Sequence, residues 1–195
     1  ARVLHRRNTF ISFDCLPYFY ALSPNYGEHE IDYLEQYQAG VMTQEAKLVF
    51  EALLKEGPLD TISLRKAAHL ANPESTSRFN RALDTLQVEF KALPVGIAEA
   101  GAWRYSFIYD LTHRYYPELQ EQARPISEGE ARRHLLKRYL LSVGVASRRD
   151  IQRVFAWRPE DIQRAVLALV EQNLAVDQIS IGALPGDYIT LVDLV

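Results

Sequence analysis

The chain has 195 residues, of which 48% are hydrophobic, so it is long and apolar enough for one large or two small folded domains. Its 22 Lys and Arg residues are nearly balanced by 25 Asp and Glu residues. This balance excludes a general polycationic coat for nucleic acid, so any such contact has to come from a local basic patch. The single cysteine, Cys15, excludes an intrachain disulfide and a thiolate zinc site of the usual kind.

Neither a membrane segment nor a signal peptide is indicated, because the chain has no run of 18 apolar residues and no basic and apolar leader. We therefore expect a cytoplasmic protein. The five histidines form no HExxH motif, and no glycine-rich phosphate loop occurs. The sequence thus predicts neither a metal site nor a cofactor. Because residue 1 is Ala, we expect either a fragment or a chain that has lost its Met.

Residues 1–40 are the least regular part and are interpreted as the possible remnant of a preceding domain. Residues 9–13 resemble a strand. A turn cluster follows at residues 23–27, and residues 28–38 are expected to form a helix. The apolar residues Ile31, Leu34 and Tyr37 lie on one side of that helix.

Residues 41–117 predict a first domain of three helices and a β-hairpin. Thr43 is a good N-cap, and its helix should stop at Gly57 and Pro58. Asp60 caps a second helix, and a third helix covers residues 74–87. The apolar positions of the third helix follow helical spacing: Phe79, Ala82, Leu83 and Leu86.

Residues 118–195 repeat this plan after a linker at residues 113–125. Sliding the chain by 87 residues places Leu48 on Leu135 and Gly57 on Gly144, and sliding it by 83 places Leu86 on Leu169. Three helices and a hairpin, occurring twice, predict tandem winged helix-turn-helix domains, mainly α with small β wings. Such a fold points first towards nucleic acid, although fold alone does not establish function.

The third helix of the first domain is the expected recognition helix, because the second helix of a helix-turn-helix enters the major groove. Its polar face consists of Ser77, Arg78, Asn80 and Arg81. Arg and Asn are the residue types that bind guanine and adenine with two hydrogen bonds. Arg65 and Lys66 on the preceding helix, and Arg104 on the wing, are expected to hold phosphates. The alternative is an ordinary solvated helix face.

The second domain differs in charge. Its corresponding helix carries Glu160, Asp161 and Glu171 against Arg164, which is unfavourable beside a phosphate backbone. Its positive charge lies on the preceding helix, at Arg148, Arg149 and Arg153. Of these, Arg148 and Arg149 are the candidates for contact with DNA. This domain is therefore expected either to flank the duplex or to pack against a partner.

Aromatic residues cluster around the predicted wing and linker, beside Arg104 and Arg114. They are Trp103, Tyr105, Tyr115 and Tyr116. Such side chains could stack on an exposed base, but the alternative is core or domain-interface packing.

Three stretches of the chain resemble the AlkZ/YcaQ-like winged-helix proteins, and in particular an AlkZ-related branch. They are residues 57–66 with 78–87, residues 95–117, and residues 130–144. The resemblance covers roughly residues 10–180. It implies tandem winged helices that grip double-stranded DNA and, in some members, a monofunctional DNA glycosylase that removes alkylated or crosslinked bases.

Those glycosylases carry a Gln-apolar-Gln or Gln-apolar-Asp motif that positions the attacking water. Gln36 and Gln38 match its letters and are the catalytic candidates. Their position just before the first domain differs from that of the family motif, which lies farther upstream in an earlier winged helix. We therefore expect this earlier domain, and with it the catalytic motif, to be absent from this chain.

Two other functions stay open. One is a transcriptional regulator bound to an operator, for which neither a dimerisation helix nor an effector pocket is evident. The other is a protein–protein interaction module, which suits the near-neutral charge and the acidic helix of the second domain. The oligomeric state and the base lesion are not indicated by the sequence.

Overall fold

A computed structural model describes residues 2–4, 7–25, 27–99, 105–182 and 184–195. The chain divides into two compact units, which are described separately. Unit 1 comprises residues 1–10 and 23–121, and unit 2 comprises residues 11–22 and 122–195. Residues 1–40, expected to form one segment, are thus shared between the two units.

In chain order the structure begins with α1 (Leu16–Ala21), which belongs to unit 2. The elements that follow form unit 1: α2 (His29–Gln38), α3 (Gln44–Glu56), β1 (Leu59–Asp60), α4 (Thr61–Ala67), a 3-10 turn (Pro73–Ser75), α5 (Thr76–Val88), β2 (Ala92–Ala98), β3 (Ser106–Leu111) and α6 (Thr112–Tyr115).

A short helix, α7 (Leu119–Ala123), runs across the boundary between the units. The remaining elements form unit 2: α8 (Glu128–Val143), β4 (Val145–Ala146), α9 (Arg148–Phe155), α10 (Pro159–Glu171), β5 (Ala175–Ile181), β6 (Leu184–Leu191) and a terminal 3-10 turn (Val192–Leu194). The predicted linker at residues 113–125 is therefore partly helical.

Each unit contains a small antiparallel sheet with the same topology. The strand order is β1-β3-β2 in unit 1 and β4-β6-β5 in unit 2, so a two-residue strand pairs with the second strand of each hairpin, which becomes the central strand of the sheet. Left-handed backbone conformations also recur at matching points. His69 matches Ala156 after the second helix, and Phe90 matches Asn173 after the third. These pairs have the same two offsets as the sequence repeat, and the structure confirms the predicted α+β class.

The core of unit 1 is built from the predicted stripe on α5. Phe79, Ala82, Leu83 and Leu86 are all buried and pack with residues of α3, α4 and β3. Local signals set the helix ends as expected. The Thr43 hydroxyl accepts from the Ala46 amide, and the Asp60 carboxylate accepts from the amides of Ile62 and Ser63. Unit 2 has its own core around Leu136, Leu140, Ile151 and Val166.

Two predictions for residues 1–40 are wrong. Residues 9–13 form no strand, because no strand of either described sheet pairs with them. The helix over residues 28–38 does form, but of the three residues on its expected apolar side only Leu34 packs against the core. Ile31 and Tyr37 are exposed, whereas Asp32, Tyr33 and Gln36 are buried.

A buried polar cluster explains why α2 turns its polar side inward. The cluster consists of Asn25, Asp32, Gln36, Glu89 and Lys91. Lys91 is only 5% exposed, and its ammonium donates to the Pro24 carbonyl at 3.1 Å and to Asn25 Oδ1 at 3.2 Å, with Glu89 Oε2 at 3.4 Å. Burial lowers the pKa of Lys91, while the negative charges of Glu89 and Asp32 oppose this shift. The polar face of α2 is thus held by partners distant in the sequence.

Two histidines stack beside this cluster. The rings of His29 and His113 are nearly parallel with their centroids 4.2 Å apart, and His29 Nε2 lies 3.1 Å from Gln120 Oε1. Burial, followed by the effects of His29 and Arg114, lowers the pKa of His113 to about 4. His113 is therefore neutral in the folded protein at neutral pH.

We predict that His113 makes unit 1 less stable in mild acid. Below about pH 6.5 the unfolded chain binds a proton at this residue, but the folded protein binds it only near pH 4. The free energy of unfolding should consequently fall between these pH values, by about 2 kcal/mol after allowance for solvent screening. Urea titrations at several pH values should show this loss for the parent protein and a smaller loss for His113→Asn.

The control is His69→Asn, which changes an exposed histidine in a left-handed conformation that Asn also adopts. This variant should retain the parent's pH dependence. An unchanged pH dependence in His113→Asn would contradict the prediction.

None of the described helices has the length and apolar character needed to cross a membrane.

Candidate nucleic-acid interface

The outer face of α5 carries the four residues predicted to meet base edges. Ser77, Arg78, Asn80 and Arg81 are all exposed, while Phe79 between them is fully buried. A buried apolar stripe fixes the rotation of a helix, so it also fixes which side chains face solvent. The core of unit 1 therefore holds these four residues together on one open surface.

The charges on this face are only lightly neutralised. Arg78 contacts Glu45 Oε1 at 3.3 Å and donates to Ser75 Oγ at 3.2 Å, yet its side chain is 58% exposed. Arg81 forms no ion pair with any described residue. The acidic residue farther along the helix, Asp84, is paired with Arg2 at 2.9 Å. The face thus presents two arginines and one amide without an unpaired carboxylate among them.

Of the two basic residues on α4, only Lys66 is exposed. The Arg65 side chain instead forms hydrogen bonds within the protein. Its guanidinium donates to the carbonyls of Leu70 and Asn72, both at 3.2 Å, and to the Thr76 hydroxyl at 2.9 Å. It also lies over the Phe79 ring, 5.5 Å from the centroid. Arg65 therefore joins α4 to α5, which positions the α5 face.

The β2–β3 hairpin presents two apolar side chains, Ile97 and Phe107, that the sequence interpretation did not single out. Arg104 lies outside the described residues, as does Trp103. On the described part, Ile97 and Phe107 are opposite one another across the strands, and both are exposed, as is Tyr105. The signal was the alternation of large residues along the returning strand, which places them on one face.

Arg114, expected among the aromatic residues of the linker, instead caps the end of α3. Its guanidinium donates to the carbonyls of Leu53, Leu54 and Gly57 at 2.9–3.2 Å and to Asp110 Oδ1 at 2.8 Å. Carbonyls at a helix C-terminus lack partners within the helix, and a cation satisfies them well. Arg114 is therefore engaged within unit 1.

In unit 2 the basic residues of α9 differ in availability. Arg148 binds Asp177 with two hydrogen bonds, of 2.6 and 3.0 Å, and also donates to Gln163. Arg149 is exposed and forms no ion pair with any described residue, and Arg153 is 3.6 Å from Asp150. Arg148 thus holds α9 against β5 and α10, which leaves Arg149 as the available cation.

The exposed face of α10 is acidic and partly apolar. Glu160, Leu167 and Glu171 are exposed, and Arg164 is paired with the buried Asp161. Asp161 also accepts from Arg158 at 3.0 Å, and these two arginine hydrogen bonds help to lower its pKa. The contrast with α5 predicted from the sequence is thus present on the surface.

Gln36 and Gln38 are not brought together. They are two residues apart on α2, so their side chains point about 200° apart around the helix axis. The Gln36 amide is buried and donates to the Pro24 carbonyl at 2.8 Å, whereas Gln38 is exposed. Their catalytic role stays a prediction that no contact in this structure tests.

We predict different effects for these two glutamines on stability. Gln36→Ala removes a buried hydrogen bond and leaves a small void, which should reduce the free energy of unfolding by about 1–3 kcal/mol. Gln38→Ala should change it by less than about 0.5 kcal/mol, because the side chain is exposed. Urea denaturation of the two variants measures the difference, and equal effects would contradict the structural role of Gln36.

Within the described ranges, no group of three or more His, Cys, Asp or Glu residues is placed to hold a metal ion.

Comparison with known proteins identifies the family. A family model described as "AlkZ related" matches residues 1–156, which is most of the chain and includes α2, α5 and the β2–β3 hairpin. No curated protein and no solved structure matches the chain. The match confirms the resemblance found in the sequence, and the chain belongs to the AlkZ-related family.

Proposed function

We propose that this chain is a tandem winged-helix protein that binds double-stranded DNA through α5 of unit 1. The observation that carries the proposal is the exposed face formed by Ser77, Arg78, Asn80 and Arg81. In a winged helix this helix enters the major groove, and Arg and Asn bind base edges with paired hydrogen bonds. The strand orders β1-β3-β2 and β4-β6-β5 support a winged helix in each unit.

Phosphate contacts beside the groove are assigned to Lys66, and Arg104, which lies outside the described residues, is the other candidate predicted from the sequence. Lys66 is exposed on the helix that precedes α5. Arg65 supports the interface indirectly, since it fixes α5 against α4. In unit 2 the exposed Arg149 is a further phosphate contact.

Family membership favours damaged DNA as the target. The AlkZ-related match supports a relationship to DNA glycosylases that remove alkylated or crosslinked bases. We assign no catalytic residue, because the Gln36 amide already donates to Pro24 within the protein. Recognition of the damaged duplex, and not hydrolysis, is the activity that these residues support.

The test is fluorescence anisotropy of this chain on a labelled duplex, either intact or with one abasic site. Binding should weaken steeply between about 50 and 200 mM salt, because phosphate contacts release counterions. Tighter binding to the abasic duplex would support repair over transcriptional regulation, for which a two-fold symmetric footprint is expected. No binding at about 50 mM salt would overturn the DNA proposal.

A second candidate function applies to unit 2. The exposed face of α10 combines Glu160 and Glu171 with the apolar Leu167, which suits a protein partner better than a phosphate backbone. This interaction module would show no salt-dependent DNA binding when unit 1 is inactivated by substitutions on α5.

A further inference from the structure

Unit 2 contains a cavity of about 130 Å³ beside α8. Arg133, His134 and Lys137 of α8 line it, together with Tyr18 of α1. Residues three and four positions apart lie on the same face of a helix, so the three α8 side chains reach the cavity together. None of these residues belongs to the α5 interface.

The two cations that line the cavity are not neutralised by an ion pair within the described part of the chain. Other basic residues of α8 do have acidic partners. Arg132 contacts Glu128 at 2.8 Å and Asp161 at 3.8 Å, and Arg138 lies 3.9 Å from Asp14. Arg133 and Lys137 have no such contact with any residue that the structure describes. Glu130 also lines the cavity, so the charge at its wall is two positive against one negative.

His134 supplies a polar atom without a partner. Its ring stacks on Tyr18 with the centroids 3.6 Å apart and the planes parallel to within 1°. Its Nε2 is buried and has no hydrogen-bond partner among the described residues. Burial and the charges of Arg138 and Lys137 lower the pKa of His134, against the effects of Asp14 and Glu130, so the ring is neutral at neutral pH. Buried polar atoms are nearly always satisfied, which points to a ligand or water at this position.

The chemistry of these groups selects an anion with several acceptor oxygens. An ammonium and a guanidinium donate to oxygens from different directions, and a neutral imidazole can add one N–H donor. The volume is several times the roughly 10–15 Å³ that one water needs by the same measure, so it leaves room for a tetrahedral oxyanion. A metal cation is disfavoured by the net positive wall.

We propose that this cavity binds a phosphate group through Arg133, His134 and Lys137. The phosphate comes either from DNA, as a backbone diester or a terminal monoester at a strand break, or from free inorganic phosphate. The proposal stands on unit 2 alone, so it does not depend on DNA binding by α5.

The experiment is a titration of the full chain with inorganic phosphate at constant ionic strength, followed by the NMR signals of the His134 imidazole. We expect a saturable shift. Arg133→Gln combined with Lys137→Gln should weaken the apparent affinity at least about tenfold, because two charge-assisted contacts are lost. Lys137→Gln alone should weaken the apparent affinity by a smaller factor. This single variant provides the test if the double variant fails to fold.

The matched control is Arg124→Gln combined with Arg153→Gln, which removes two exposed arginines from the same unit. It should leave the apparent affinity within about twofold of the parent, since neither residue lines the cavity. An absent or non-saturable shift would overturn the proposal. An apparent affinity that falls equally in the α8 double variant and in this control would also overturn it.

Competition then assigns the source of the phosphate. Displacement of inorganic phosphate by a nicked duplex with a 5′-phosphate, but not with a 5′-hydroxyl, identifies a terminal monoester. Equal displacement by an intact duplex identifies the backbone. If inorganic phosphate binds saturably and is displaced by none of these duplexes, the ligand is the free ion. Each result supports the phosphate site.

Discussion

Replacing Lys91 with Met is expected to reduce the stability of unit 1 by about 3–5 kcal/mol. The Lys91 ammonium is buried. It donates hydrogen bonds to the Pro24 carbonyl and to Asn25 Oδ1, and it forms an ion pair with Glu89. Removing one member of a buried charge cluster leaves the remaining charges without compensation, and this costs more than the intact cluster contributes. Asp32, itself buried, would lose the positive charge that faces it.

Native-state hydrogen exchange measures this loss separately for each unit. In Lys91→Met, the amides of α3 should exchange faster by the factor that corresponds to the lost free energy of unfolding. The exchange rates of the α8 amides, measured in the same sample, report on the stability of unit 2. The matched control is Lys55→Met, which makes the same substitution at an exposed lysine of α3 and should change stability by less than about 0.5 kcal/mol. Equal protection in the two variants would mean that the buried polar cluster contributes nothing to the fold.

Removing the base-reading side chains of α5 is expected to weaken duplex binding strongly. Asn80→Ala and Arg81→Ala should each cost about 1–3 kcal/mol, which corresponds to roughly a tenfold to a hundredfold loss of affinity. Both side chains are exposed, so the fold should remain intact. Anisotropy titrations on one duplex at one salt concentration measure the change.

The control for these variants is Lys55→Ala, which removes an exposed charge from the same unit but from a different helix. A uniform loss of affinity in all three variants would indicate nonspecific attraction and contradict a defined α5 interface. Circular dichroism spectra that match the parent would confirm that each variant is folded.

Local sequence signals predicted the parts of the fold that depend on local interactions. The stripe from Phe79 to Leu86 gave the buried face of α5, and Thr43 and Asp60 cap their helices as expected. These features depend on residues within a few positions of each other, which a pattern can register. The exposed α5 face followed from the same stripe.

Two interactions that the sequence did not reveal join residues that are distant along the chain. Periodicity grouped Ile31 with the apolar side of α2, but Lys91 and the turn at residues 23–25 hold the polar side of that helix inward, and Ile31 is exposed. Arg148 was expected to be available to phosphate and is instead bound to Asp177. An exposed cation and a paired cation have the same sequence pattern, because the partner is set by the tertiary fold.

The path of the chain limits how this protein can be divided for experiments. Residues 11–22, including α1, belong to unit 2, although residues 23–121 of unit 1 follow them. A recombinant fragment that begins at residue 122 would therefore lack Tyr18 and leave the ring of His134 uncovered. Unit 2 is complete only when a fragment also supplies residues 11–22, for instance through a circular permutation that joins them to the opposite end of the unit.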